Sequence, residues 1–216
     1  MREVAKVIVQ WCVKGMTLPD DYTAKAVIDG GDGLQCNWWR GVKGITPQEI
    51  ADKLTEANLD LHVNHFTSPD PATGLPFNKV SPFISLSAGV VERVAAAKTN
   101  FVRRARQTAL WFGSNYYQEN LAYLFECWLL LGPRSAVPVE GVAEEIRDLN
   151  TYRRYSAYQP EGEITAKIIV PANQIAACER WDTTDSPHGK KFSSVWRHNN
   201  PNFISPEVLS NVRELI

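Results

Sequence analysis

No stretch of the chain reaches the roughly 18 consecutive apolar residues that a membrane-spanning helix needs. The first fifteen residues have no signal-peptide core either, because Glu3, Lys6 and Lys14 interrupt their apolar positions. The expectation is a cytoplasmic protein, or one exported without a cleaved signal, with no membrane partner. Charge of one sign is not in excess: 23 Lys and Arg face 24 Asp and Glu, for a net charge of −1. A dedicated nucleic-acid binder would carry a basic excess, so that class is disfavoured, although a local basic patch could still hold a nucleic acid. Cysteine is scarce and scattered at Cys12, Cys36, Cys127 and Cys178, with no Cys-x-x-Cys pair. Neither a zinc site nor a disulfide framework is indicated, and a reducing compartment follows. Cys36 and Cys127 stand in apolar runs and should be buried thiols. There is no internal repeat, low-complexity tract or linker, so residues 1–216 are read as a single domain.

What is present suits a compact core. The 216 residues are 44% hydrophobic and include seven Trp. A chain of this length buries roughly 70–75% of its unfolded surface. Val4, Val7, Ile8 and Trp11 fall at helical spacing and predict an amphipathic helix over residues 2–14. Asp29-Gly30-Gly31-Asp32-Gly33 reads as a turn; in a dinucleotide fingerprint the third glycine would fall on Cys36. Thr46-Pro47-Gln48-Glu49 is a helix start, with a Thr cap, Pro at the first position and Glu completing a capping box; Ile50, Leu54 and Ala57 should be its buried positions. Residues 88–112 read as a helix whose Arg103, Arg104 and Arg106 form a solvated face. Tyr123–Leu131 is an apolar run of strand length and predicts a central strand. A short helix is expected near 140–150, and Ser205-Pro206-Glu207 should start a last one.

The most informative segment is Tyr158-Gln159-Pro160-Glu161-Gly162-Glu163, followed by the β-rich run Ile164–Val170. Side chains alternate along an extended backbone, so Glu161 and Glu163 project to the same side. Two like charges on one face repel, and an ordinary strand start has little reason to hold them there. Two other segments precede this loop: Cys36-Asn37-Trp38-Trp39-Arg40-Gly41-Val42, read as an aromatic strand ending in Arg-Gly, and Ser81-Pro82-Phe83-Ile84-Ser85-Leu86-Ser87, read as a strand ending in Ser-x-Ser.

In that order the three segments resemble the mono-ADP-ribosyltransferases of the arginine-serine-glutamate class, which include pertussis- and cholera-like toxins and clostridial toxins. Their pattern is an aromatic-Arg-Gly strand, then Phe-x-Ser-Thr-Ser, then aromatic-x-x-(Glu/Gln)-x-Glu. Arg40 and Gly41 fall on the first element, Phe83, Ser85 and Ser87 on the second, and Tyr158, Glu161 and Glu163 on the third. Leu86 departs from the family's Thr. The resemblance covers about residues 36–175 as a catalytic core, leaving 176–216 as a C-terminal extension. It implies an α+β fold of two small, packed, mostly antiparallel sheets with an NAD cleft and flanking helices; Trp38–Val42 and Ile164–Val170 would be edge strands.

The implied reaction passes ADP-ribose from NAD to a macromolecular acceptor and releases nicotinamide. The leaving ring becomes neutral as it departs, so catalysis centres on the sugar cation that develops, and a placed carboxylate meets that need. By resemblance Glu163 steadies the cation, Arg40 grips the phosphates or adjacent ribose, and Ser85 holds Glu163. Gly41, Phe83 and Ser87 line the NAD site. Glu161 points toward an arginine acceptor, with Tyr158 touching it, so a protein acceptor is favoured over nucleic acid. His62 and His65 lie between the Arg and Ser elements, where pertussis-like enzymes carry an auxiliary His. His65 is placed with the NAD-contacting residues, and the division of roles between the two stays open. No third ligand accompanies them and no H-E-x-x-H pattern is present, so no metal site is assigned. The expected role is a toxin or effector, for which an antitoxin or inhibitor would be a partner. The alternatives are an NAD glycohydrolase using the same site, a non-catalytic nucleotide- or protein-binding module, and an unrelated α+β interaction protein.

Overall fold

In a computed structural model of the chain, residues 7–40, 46–88, 97–131, 142–144, 162–187, 189–208 and 212–215 are described. The first element is a strand, β1 (Val7–Met16), and not the helix expected over 2–14. The reason is burial on both faces: Val9, Gln10, Cys12 and Val13 are all buried, so the period-2 alternation that marks a half-exposed strand is missing. The β-branched residues Val7, Ile8, Val9 and Val13 favour the extended form. Three strands adjoin β1: the parallel β10 (Val212–Leu215), and antiparallel β3 (Phe83–Ser87) and β4 (Leu121–Leu131).

The sheet has the order β10-β1-β3-β6-β5-β4-β8-β9, where β5 is Val142–Glu144, β6 Glu163–Lys167, β8 Ile175–Ser186 and β9 Gly189–Asn199. Because β1 also pairs with β4, the strands β1, β3, β6, β5 and β4 form a closed circuit. Closure leaves these strands without a free edge along the paired stretches. The fold is therefore α+β, with one branched eight-stranded sheet and a two-stranded ribbon of β2 (Leu34–Gln35) and β7 (Ile169–Val170), rather than two comparable packed sheets. Ile164–Lys167 lies between β3 and β5, so it is an interior strand and not the expected edge. Nor is 176–216 an extension: β8 pairs along β4 from Leu121 to Cys127, and β9 continues the sheet.

Five α-helices are described: α1 (Asp21–Asp29), α2 (Asn37–Arg40), α3 (Pro47–Lys53), α4 (Glu56–Asn64) and α5 (Ala97–Gly113). The capping box at α3 is as read, with Thr46 and Glu49 bonded reciprocally. Leu54 is buried and Ile50 half-buried, whereas Ala57 belongs to α4 and is exposed. The segment expected as a Trp38–Val42 strand is helical through Arg40. Trp39 donates its N–H to the Cys36 sulfur at 3.3 Å, and Trp38 donates to the Ser81 carbonyl at 3.2 Å, which winds the chain immediately after β2. Residues 142–144 are strand, where a helix was expected, and the Pro206 turn is a single 3-10 turn before β10.

Two apolar layers flank the sheet. On one side Cys12, Ile84, Leu86, Phe125, Cys127, Ile164 and Ala166 meet α1, α3 and α4 through residues such as Ile28, Leu54, Leu59 and Val63. On the other, α5 packs Ala105, Ala109 and Leu110 on Val13, Ala122 and Leu124. Here Arg106 is no solvated arginine: it pairs with Glu126 and Glu179, which also hold Arg197. The four cysteines are buried and unpaired by disulfides. The end of α5 crosses β1 with backbone against backbone, since a Cβ on Gly15 would lie 1.7 Å from the Ala109 carbonyl oxygen. Thr17 Oγ1 donates to the Gly113 carbonyl at 2.7 Å and fixes this crossing.

Candidate active site

Strand register brings the Ser and Glu elements side by side. Ser87 is paired with Glu163 and Ser85 with Thr165, so Ser85, Ser87 and Glu163 share one side of the β3–β6 pair. Val13 of β1 pairs with Ser87, which brings the end of β1 to the same place. A cavity of about 430 Å³ opens here, within the usual range for small-molecule sites of roughly 300–1,000 Å³. Arg40, Phe83, Ser85, Ser87 and Glu163 all line it, together with Lys14, His62 and the exposed rings of Phe112 and Tyr116. Five of the residues named from sequence thus converge on one concavity. Gly41, Tyr158 and Glu161 lie outside the described residues.

His65 does not line the cavity. It caps the C-terminus of α4 and is exposed. The inward histidine is His62, and helical phase explains why: Leu59, His62 and Val63 stand at i, i+3 and i+4, with Leu59 and Val63 buried. Had α4 been read as a helix, that spacing would have chosen His62. Its Nε2 lies 2.8 Å from Ser85 Oγ and its Nδ1 2.8 Å from Ser81 Oγ. The ring also packs on Phe83, with centroids 5.5 Å apart. Desolvation by the surrounding protein, helped by the nearby Lys14 cation, pushes the imidazole down to about 3. His62 is therefore neutral at neutral pH, with one nitrogen donating and one accepting.

Lys14 is the residue missed in the sequence. It stands on β1 next to Val13 and is followed by the close-packed Gly15. Burial lowers its pKa; Glu163 opposes that shift and Arg40 adds to it. The cavity thus holds a carboxylate and two cations, and Lys14 feels the charge of both Glu163 and Arg40. The strand adjoining the Ser strand carries Trp11-Cys12-Val13-Lys14-Gly15, an aromatic residue followed by a cation and glycine, whereas Arg40 approaches from the end of α2 and is exposed. Reading residues 2–14 as a helix concealed this second cation. Arg40 remains in the site but is not on the strand expected for it.

The cavity mouth is aromatic. Trp111, Phe112 and Tyr116 pack on one another with centroids 4.9 to 5.7 Å apart. Asn115, Tyr116 and Tyr117 follow α5 with φ of 50°, 58° and 65°. Non-glycine residues adopt that region at a cost. Hydrogen bonds hold the turn: Tyr116 N–H donates to the Trp111 carbonyl at 2.8 Å, and Glu119 N–H to the Ser114 carbonyl at 3.0 Å. Among the described residues, no group of three His, Cys, Asp or Glu side chains is placed to hold a metal ion.

Several solved toxin structures are similar to this chain. EcPltA aligns with 95% of the chain and 91% of its own length at 12% identity, with a TM-score of 0.48. A mutant of E. coli heat-labile enterotoxin aligns over 94% of this chain and 82% of that one at 13% identity, with a TM-score of 0.45. The catalytic domain of the mosquitocidal toxin from Bacillus sphaericus aligns over 97% and 64%, respectively, at 14% identity, with a TM-score of 0.34. No protein-family profile matches the chain, and no curated protein does.

Proposed function

We propose that the chain is an NAD-dependent mono-ADP-ribosyltransferase that passes ADP-ribose to a macromolecular acceptor and releases nicotinamide. The observation that carries this reading is the convergence of Arg40, Phe83, Ser85, Ser87 and Glu163 on one cavity, although they are drawn from α2, β3 and β6. The chemistry of the lining fits the substrate. Lys14 and Arg40 supply the positive charge that a pyrophosphate needs, Arg40 through its planar fork and Lys14 as a point charge. Phe83 offers an apolar wall, and Glu163 is the carboxylate for the ribose.

In this reading the bond between the ribose carbon and the nicotinamide nitrogen breaks, and its electron pair leaves with the ring, which becomes neutral. The sugar is left with oxocarbenium character. Glu163 stabilises that positive charge, and the acceptor's lone pair then closes the new bond as the acceptor gives up its proton to solvent. A negative group already in place costs no reorganisation at the moment of reaction, and this is where most of the rate gain arises. Lys14 and Arg40 contribute by holding the phosphates and orienting the sugar. A protein arginine is the proposed acceptor, and a toxin or effector role the proposed setting.

The test uses NAD labelled in its adenylate portion, incubated with purified protein and cell lysate. Transfer of label to lysate protein supports the reading. Nicotinamide release with all label recovered as free ADP-ribose would replace it with an NAD glycohydrolase on the same site. Neither product would leave a binding module.

A further inference from the structure

Ser81 is buried, at 2% exposure, and stands just before β3 in the lining of the same cavity, whereas Ser85 is half-buried. Its hydroxyl has two neighbours. The Phe83 N–H donates to Ser81 Oγ at 3.1 Å, and His62 Nδ1 lies 2.8 Å from the same oxygen. On the far side of the ring, His62 Nε2 meets Ser85 Oγ at 2.8 Å. Ser81, His62 and Ser85 thus form a chain along the cavity wall, running from a buried hydroxyl to a half-buried one.

A neutral imidazole carries one proton, so the chain has two arrangements. In the first, Nδ1–H donates to Ser81, and Nε2 accepts from the Ser85 hydroxyl. Ser81 Oγ would then accept both Nδ1–H and the Phe83 N–H, and its own hydroxyl proton would need another acceptor. None lies within hydrogen-bond distance among the described residues, and a buried donor left without a partner is costly. In the second, Ser81 O–H donates to Nδ1, and Nε2–H donates to Ser85 Oγ. Ser81 O–H, Phe83 N–H and Nε2–H then each have an acceptor, and the proton left over belongs to Ser85, which is half-buried, rather than to the buried Ser81. The Ser85 hydroxyl, with its oxygen already accepting, turns its proton toward the cavity.

We propose that Ser81 is a positioning residue that fixes His62 in the Nε2–H tautomer and so makes Ser85 a hydrogen-bond donor into the cavity. The consequence is chemical. In this tautomer His62 has no lone pair facing Ser85, so it does not activate Ser85 as a nucleophile, and a serine-hydrolase use of the pair is excluded. The Ser85 proton instead serves the Glu163 carboxylate or an oxygen of the bound substrate. That last step rests on the transferase reading; the tautomer assignment does not.

The experiment labels the full chain with ¹⁵N-histidine and records long-range ¹H–¹⁵N correlations at neutral pH, which distinguish the two tautomers directly. The chain has four histidines, and His62→Gln identifies the signal that belongs to this ring. The expected wild-type pattern is a single Nε2–H tautomer. Ser81→Ala should give a mixture, and Ser81→Thr, which keeps the hydroxyl, should restore the single form. In parallel, Ser81→Ala should lower kcat for nicotinamide release about tenfold with little change in KM, and Ser81→Thr should recover it. A wild-type ring protonated at Nδ1 or at both nitrogens overturns the proposal, as does a tautomer unchanged by Ser81→Ala. The wild-type spectrum decides even if Ser81→Ala does not fold. An Nε2–H spectrum in a protein that releases no nicotinamide keeps the tautomer assignment and sinks the transferase reading.

Discussion

Replacing Lys14 with methionine should make the protein more stable and a poorer enzyme at once. The ammonium lies in a cavity wall where desolvation disfavours its charge; the Glu163 carboxylate opposes that effect, and Arg40 adds to it. The net shift is downward, so the folded protein holds this proton less willingly than the unfolded chain. The charge is therefore a cost to folding. Methionine keeps the length of the side chain and removes that cost. Removing one partner of a fully buried pair would cost about 3–5 kcal/mol, but Glu163 is half-buried beside the open cavity and keeps its hydration, so relief of the Lys14 desolvation leaves a small net gain. A gain of about 1 kcal/mol corresponds to a Tm rise of roughly 2–4 °C for a chain of this size. Function should move the other way. A lost charge-assisted contact to a phosphate is worth about 1.5–3 kcal/mol, which is on the order of a 10- to 150-fold rise in KM for NAD. Thermal unfolding and the NAD dependence of nicotinamide release, measured on the same preparation, test both halves. A lower Tm with unchanged KM would refute the placement of Lys14 as a strained cation serving the substrate.

Three further outcomes follow from the same geometry. Gly15→Ala would force a methyl onto the Ala109 carbonyl, so the α5–β1 crossing must open; urea unfolding should show a loss of more than about 3 kcal/mol, and a near-neutral effect would mean the crossing is looser than described. His62 is depressed from its ordinary 6.5 to about 3, so between those values the unfolded chain binds more protons than the folded one. Stability from this group is therefore complete above about pH 6.5 and is lost as the pH falls toward 3, by up to a few kcal/mol; His62→Gln should flatten that part of the stability profile in a pH series of denaturant melts. Arg40→Lys keeps the charge but loses the planar fork, so KM for NAD should rise several-fold while the unfolding midpoint stays put; unchanged NAD kinetics would remove Arg40 from the phosphate site.

The parts of the molecule that were legible from sequence are those whose pattern reports one environment. The alternation of Ile84 and Leu86 with Ser85 and Ser87 marks β3, because one side meets the core and the other the cavity. The capping box of α3 is local chemistry and needs no tertiary context. β1 was hidden because both its faces are covered, and its apolar positions then coincide by chance with a helical period. That error carried a second one, since Lys14 enters the cavity only from a strand. His62 rather than His65 followed from the phase of α4, which the low apolar content of Glu56–Asn64 did not announce. The closed circuit of strands depends on β1 reaching both β3 and β4, a long-range pairing with no local signature.

The most direct test of the account is nicotinamide release from NAD by the purified protein compared with Glu163→Gln, both shown to be folded by thermal unfolding. Among the described residues Glu163 is the carboxylate that lines the cavity, and its amide keeps the shape while removing the charge. The account predicts release by the wild type and a loss of 10²-fold or more in the variant, on the order expected when a principal electrostatic group is removed from an active site. A variant that releases nicotinamide at the wild-type rate would contradict it.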